Sequence, residues 1–359
     1  MPDPENMNFS KDPSRKSIWR LAAWATALIG LAILAVATVK FVKHRQSVDA
    51  YVERALAVGE AGNLEEAIAE LTAGIRRHSD SALLYYYRAN HYGMIENNDQ
   101  ALADYTESIR LDPNLLLAYW NRASCYKTKG ETDRAIDDWG AVIRMANPAV
   151  PMNRHCLGSA YFNRGDAYHR KREYDKAIAD YTQAMELFPP DAEDYNKRGS
   201  AYAARKDFAT AVADFTEAIR LEPKDPETFY NRGTSYLEVG QYDKAVDDLT
   251  RAIQLKVDFS FAHNNRGRAY LFKKENDKAL ADFNEAVRLE PNNVPAYLNR
   301  ASVLMARGDP KGAVTDLTEA LRLDPKNRTA YDYRAKAYRA LGEPAKADED
   351  ERKALELRQ

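Results

Sequence analysis

One spacing dominates the sequence. Small residues stand at Ala55, Ala89, Ala123, Gly165, Gly199, Gly233, Gly267, Ala301 and Ala335, 34 residues apart at every step but one, where the step is 42. Twelve residues after each stands an alanine: Ala67, Ala101, Ala135, Ala177, Ala211, Ala245, Ala279, Ala313 and Ala347. A fixed period of this length describes a unit too small to bury its own apolar face, so it must stack on copies of itself. Placed at 100° per residue, Tyr161, Gly165 and Tyr168 share one helical stripe, and Ala177, Tyr181 and Ala184 share another. Each unit therefore reads as two short amphipathic helices packed face to face, the small residues letting the backbones approach. Pro113, Pro189, Pro223, Pro291 and Pro325 close the second helix of their units, because proline cannot continue one. The expected fold is all-α.

Rings recur at Tyr51, Tyr85, Tyr119, Tyr195, Phe229, Tyr297 and Tyr331, where they fill the space between successive units. With the small–small–proline framework and the 34-residue period, these residues resemble the tetratricopeptide repeat (TPR) family over roughly residues 48–359. The resemblance implies a right-handed superhelical solenoid of nine helix-turn-helix repeats, whose concave groove, lined by the first helix of each pair, binds peptide or protein segments. A stack needs solvated ends, and the last helix carries Glu351 where earlier units have Tyr105, Phe215 or Phe283. The single long step places eight extra residues near 147–156, read as a loop insertion or as a contact loop or flexing point between the first three units and the last six.

An arginine precedes every small residue, and an acid follows sixteen positions later, from Arg54 and Glu70 to Arg334 and Asp350. Such a ladder imitates an anion track, but a residue required in every unit does what every unit needs, and an Arg–carboxylate pair inside each hairpin is the simpler account. One place before the arginine stand Asn121, Asn163, Asn231, Asn265 and Asn299, interrupted by Tyr87, Lys197 and Tyr333. A row of amides offers donors and acceptors to the backbone of an extended guest chain, or else bonds helix to helix. The row resembles the asparagine ladder in the superhelical repeat region of the O-linked N-acetylglucosamine transferase family. Tyr86, Trp120, Phe261 and Phe272, with Leu83 and Met94, complete the expected groove as apolar anchors. The Lys and Asn pattern with which some TPR proteins grip a C-terminal carboxylate is missing from these positions.

Ahead of the repeats, Leu21 to Val39 form nineteen uncharged residues between Arg20 and Lys40, with Trp19 and Trp24 at the start. That length spans a bilayer, so we expect a disordered tail over 1–18 and a transmembrane signal anchor over 19–41. The small-x-small triplet Ala35-Val36-Ala37 keeps a cleaved signal peptide open as the rival. Flanking positive charges balance and leave the orientation open. The expected setting is a bacterial inner membrane, with the periplasmic side preferred for the repeats.

Residues 1–50 hold seven basic and four acidic side chains, leaving 45 against 50 in the body, a poor match to a nucleic-acid backbone. Two cysteines make no disulfide framework, and Cys156 beside His155 lacks a third group for nucleophilic work. With no phosphate loop, dinucleotide fingerprint or metal pair, the expectation is a non-enzymatic scaffold for protein or peptide partners that uses no cofactor and no small-molecule substrate.

Overall fold

The computed structural model describes residues 38, 40, 42–45 and 47–357. The described residues are helical throughout apart from short connections, and they fall into two compact units divided after Ala146. In the first unit the helices are α1 (47–60), α2 (Leu64–Arg77), α3 (Ala82–Met94), α4 (Asn98–Leu111), α5 (Leu116–Thr128) and α6 (Thr132–Met145). In the second they are α7 (Pro151–Arg170), α8 (Tyr174–Leu187), α9 (Ala192–Ala204), α10 (Phe208–Leu221), α11 (Pro226–Glu238), α12 (Tyr242–Leu255), α13 (Ser260–Phe272), α14 (Asn276–Leu289), α15 (Val294–Ala306), α16 (Pro310–Leu323), α17 (Arg328–Ala340) and α18 (Pro344–Glu356). Consecutive helices pair into nine hairpins among the described residues, three in the first unit and six in the second. From α3 onward, each odd-numbered A helix packs on the B helix that follows it; within each unit, B helices pack on the next A helix and neighbouring A helices touch, as α3 with α5 and α13 with α15.

Local chemistry sets the boundaries. Every A helix ends at a residue with positive φ: Gly62, Glu96, Gly130, Arg172, Lys206, Gly240, Lys274, Gly308 or Gly342. A left-handed residue there turns the chain back on itself, which glycine does without strain and the four others do not. B helices stop at extended residues such as Asp112 and Phe188, each followed by a proline that excludes the helical conformation for the residue before it. Asp191, Asp225, Asn293 and Asn327 then cap the next A helix by accepting a backbone N–H, as Asp207 and Asp309 do for the B helices α10 and α16.

The core runs along the middle of each B helix. Leu71, Tyr105, Trp139, Tyr181, Phe215, Leu249, Phe283 and Leu317 occupy one equivalent position and are at most 3 % exposed. Each stabilises its hairpin by roughly 1.5–3 kcal/mol of buried apolar surface. The small residue on the A helix is what admits them: a Cβ on Gly267 would lie 2.7 Å from the Phe283 ring. In the last hairpin the position belongs to Glu351, exposed and paired with Arg339 across 2.9 Å, so the stack ends in a solvated face.

The long step is not a loop. Pro151, at the start of α7, opens a helix of 20 residues where α3, α5 and the later A helices have 13, so most of the inserted residues lengthen the first helix of the fourth repeat. Proline at the first helical position is compatible with this because its missing N–H has no partner there anyway. The boundary between the two units falls at this insertion. The 1–18 tail lies outside the described residues, as does the 19–41 apolar segment apart from Thr38 and Lys40. Among the described residues no helix is long and apolar enough to cross a membrane.

Candidate peptide-binding groove

Two sides of each A helix carry different chemistry. On one side the arginine ladder forms inside each hairpin. Arg88, Arg122, Arg164, Arg198, Arg232, Arg266, Arg300 and Arg334 each donate from Nε and Nη2 to both carboxylate oxygens of the acid sixteen residues on, at 2.6–2.9 Å. Arg54 pairs with Glu70 through one oxygen. The aspartates are nearly buried, and their hydrogen bonds hold the guanidinium groups of Arg88 and Arg232 above their ordinary pKa, against burial. Rings three before and four after flank several of the guanidinium groups, as Tyr85 and Tyr92 do Arg88 at 5.6 and 5.9 Å.

The sequence reading missed the third arm. Nη1 of Arg88, Arg122, Arg198, Arg232, Arg266 and Arg334 donates at 3.0–3.3 Å to Thr72, Thr106, Thr182, Thr216, Thr250 and Thr318 of the preceding repeat, and Arg300 does the same to Asn284. The ladder is therefore a staple between repeats as well as within them. A signal was present: these acceptors stand two places after each acid. The last repeat of each unit lacks them, with Gly140 and Arg352 instead.

The other side of the A helices holds the asparagines and the candidate anchors. In the first unit Asn121 donates to Asn90 at 2.8 Å and, at 3.4 Å, to the Tyr86 hydroxyl, while Tyr105 donates to the same Asn90 oxygen at 2.6 Å. Burial pushes the Tyr105 phenol far above its ordinary value and keeps it a donor. Tyr86 is buried edge-on against Tyr87; Trp120 is half-buried, and its indole N–H, itself out of solvent, has no hydrogen-bond partner among the described residues.

In the second unit Asn163 donates to its own helix at Ser159 O, 2.8 Å away, beside a cavity of about 280 Å³ lined also by Phe162 and Phe188. Asn265 donates to Thr234 at 3.0 Å and to the Tyr230 hydroxyl at 3.3 Å. Asn299 donates to Asn264 at 2.9 Å. The Asn231 amide has no hydrogen-bond partner among the described residues. Phe261 and Phe272 are 49 % and 54 % exposed, Phe272 stacking on Tyr242 at 5.0 Å.

A rule links two of these bonds and a third: the residue before the arginine in one repeat reaches the residue after the small position in the repeat before, 31 places back. Asn121 with Asn90 and Asn265 with Thr234 follow it, and so does Lys197, whose ammonium meets Asp166 at 3.1 Å. The interruption of the asparagine row at Lys197 is thus a charged version of the same link, matched by an acid at the position that Asn90 and Thr234 hold in the other two links. Asp166 is gripped a second time by the Tyr181 hydroxyl at 2.7 Å, the counterpart of Tyr105 on Asn90.

His263 was also missed. It stands where other repeats place a ring, is buried, and its Nδ1 lies 3.1 Å from Asp282. Burial works against the Asp282 charge, yet the hydrogen bonds from Arg266 and His263 prevail and hold its carboxyl below the ordinary carboxylate value. The thiols are the opposite case: burial pushes Cys125 and Cys156 up and holds them protonated, which suits neither nucleophile nor metal ligand.

Models of the tetratricopeptide repeat match residues 95–151, 158–191, 226–259, 260–293 and 294–327, and a TPR repeat model matches 199–240, which together span more than half the chain. The chain belongs to the tetratricopeptide repeat family. No match is found among curated proteins. Among solved structures, the C-terminal part of a TPR repeat-containing protein from Cytophaga hutchinsonii is 20 % identical, with a TM-score of 0.54 over 69 % of this chain and 98 % of that one. A chain of the APC/C hetero-tetramer Cut9–Hcn1 is 18 % identical, with a TM-score of 0.51 over 76 % of this chain, which spans about half (52 %) of that one. At these identities the likeness speaks for the fold alone. In TPR terms, the arginine staple is this chain's framework, and the face carrying Asn231, Phe261 and Phe272 is the A-helix face left open.

Proposed function

We propose that this TPR chain is a membrane-anchored scaffold that holds peptide or protein segments against the A helices of its repeats. The observation that carries the reading is exposure where the core rules give none. Phe261 and Phe272 in the second unit and Leu83 and Met94 in the first are 41–65 % exposed on A helices, while the repeat's own packing positions are closed. Large apolar side chains left open together on one kind of surface mark a site that a partner covers. Their neighbours are amides and cations already paired with acids, such as Arg268 with Glu238, and not a free positive field, which suits protein and not nucleic acid. Catalysis has no support in the side chains on this face, and no cofactor or small-molecule substrate enters the reading.

The anchor rests on the uncharged segment Leu21–Val39. We place the protein in a bacterial inner membrane with the repeats on the periplasmic side. A second reading, an accessory or chaperone-like factor for envelope assembly or secretion, draws on the unpartnered Asn231 amide, which can bond a guest backbone whatever its side chains.

A photo-crosslinking residue placed at Phe261 in the full chain, in its own membrane, tests the groove. The expected result is a discrete protein adduct from Phe261 and none from Arg251, an exposed residue on a B helix. Adducts from Arg251 alone would overturn the reading, and a broad smear of adducts from Phe261 would favour the chaperone-like role. Protease protection in intact and permeabilised cells tests the sidedness.

A further inference from the structure

Between α15 and α17 of the second unit lies a cleft of about 240 Å³ lined by Ala301, Ser302, Met305, Leu317, Tyr333 and Lys336. Its floor is apolar and closed, since Ala301 and Leu317 are at most 1 % exposed. One wall is the ring of Tyr333, which takes the place of an asparagine in the amide row, and the flexible thioether of Met305 lines the cleft as well. The rim carries a charge. Lys336 has no ion-pair partner among the described residues; its ammonium sits 5.4 Å from the Tyr333 ring centre. Other cations on the same face are already neutralised, Lys197 by Asp166 and Arg268 by Glu238, both at 3.1 Å.

Resting on the groove reading above, we propose that this cleft is an anchoring subsite for an acidic–apolar segment of a protein partner: one bulky apolar side chain enters the cleft, and the carboxylate of an adjacent Asp or Glu meets Lys336. The volume suits one large side chain, and an uncompensated ammonium beside an apolar slot asks for a carboxylate next to that side chain. The guest carboxylate is a side chain and not a chain terminus, because a terminal carboxylate asks for several converging charged donors and the cleft supplies one cation, Lys336, beside the hydroxyls of Ser302 and Tyr333. The interruption of the amide row at Tyr333 thereby acquires a use: an asparagine there would remove the wall.

The test is a random peptide library, displayed once with free and once with blocked C-termini, selected on the full chain in detergent and on Lys336→Gln and Ser302→Phe. Melting curves confirm that both variants fold, as expected for changes on the open face. The expected result is enrichment of Phe, Leu or Trp next to Asp or Glu irrespective of the blocked terminus. Affinity of the selected peptides should fall about fivefold in Lys336→Gln, the worth of one partly screened charge pair, and more than tenfold in Ser302→Phe, which fills the cleft. Peptides that bind equally well to all three proteins, or that need a free C-terminus, overturn the subsite while leaving the groove reading intact. No peptide enriched on the unmodified chain overturns both.

Discussion

Two sides of the same A helices differ in what they tolerate. On one, Arg, Asp and Thr recur in repeat after repeat in an unchanged geometry, and Nε and Nη2 of eight arginines meet their carboxylates within 2.6–2.9 Å. On the other, equivalent positions hold Asn, Lys, Tyr or Glu at one site and Phe, Leu, Pro, Ser, Thr, Glu or Asp at another. The contrast teaches that repetition marks what every hairpin needs in order to stand on its neighbour, whereas variation marks where the repeats address something else.

The contrast breaks if the two sides respond alike to mutation. Arg232→Ala leaves Asp248 nearly buried without its partner and removes the arm to Thr216, and should cost about 3 kcal/mol. Asn231→Ala, the adjacent residue on the open side, should change stability by less than about 0.5 kcal/mol. Urea unfolding of the two variants decides it, and equal losses would dissolve the distinction.

A smaller effect of opposite sign sharpens the framework side. Lys206 and Lys274 hold φ of 68° and 64° at turns where five other repeats use glycine. Lys206→Gly and Lys274→Gly should each raise stability by about 0.5–1 kcal/mol, since relief of left-handed strain outweighs the added freedom of the unfolded chain. A melting temperature that falls in both would contradict the strain assigned to these turns.

The smallest effect is in pH. Arg266 and His263 depress the Asp282 carboxyl in the folded chain despite its burial. A carboxyl with a lower folded than unfolded value stabilises the fold fully above its ordinary 3.8 and loses that contribution as pH falls through the folded value. The stability difference between the protein and Asp282→Asn should therefore be constant near neutrality and narrow only in the acid range below about pH 4. Narrowing that already begins near neutrality would contradict it.

The hairpins, their number and the arginine–acid pairs were legible because each follows from spacing on a helix. What spacing along one repeat cannot show is a bond to the next. The arms to Thr72 or Thr216, the link from Asn121 to Asn90 and the exchange of an amide pair for Lys197 and Asp166 all join residues on different hairpins. The lengthening of α7 escaped for a local reason: Asn147-Pro148 and Pro151 read as loop chemistry, whereas Pro151 is the first residue of the helix. The anchors divided by environment. Tyr86 is buried against the rings of Tyr87 and Tyr105 and Trp120 is half-buried, while Phe261 and Phe272 are open.

The central claim is that framework and guest site lie on separable sides of one helix, and α13 carries both. Unfolding free energy and affinity for a selected peptide, measured side by side on Arg266→Ala and Phe261→Ala, test it most directly. The account predicts a loss of about 3 kcal/mol in stability for Arg266→Ala, and a more than tenfold loss of affinity with unchanged unfolding for Phe261→Ala. A Phe261→Ala protein that binds every peptide as before, or unfolds as easily as Arg266→Ala, would contradict it.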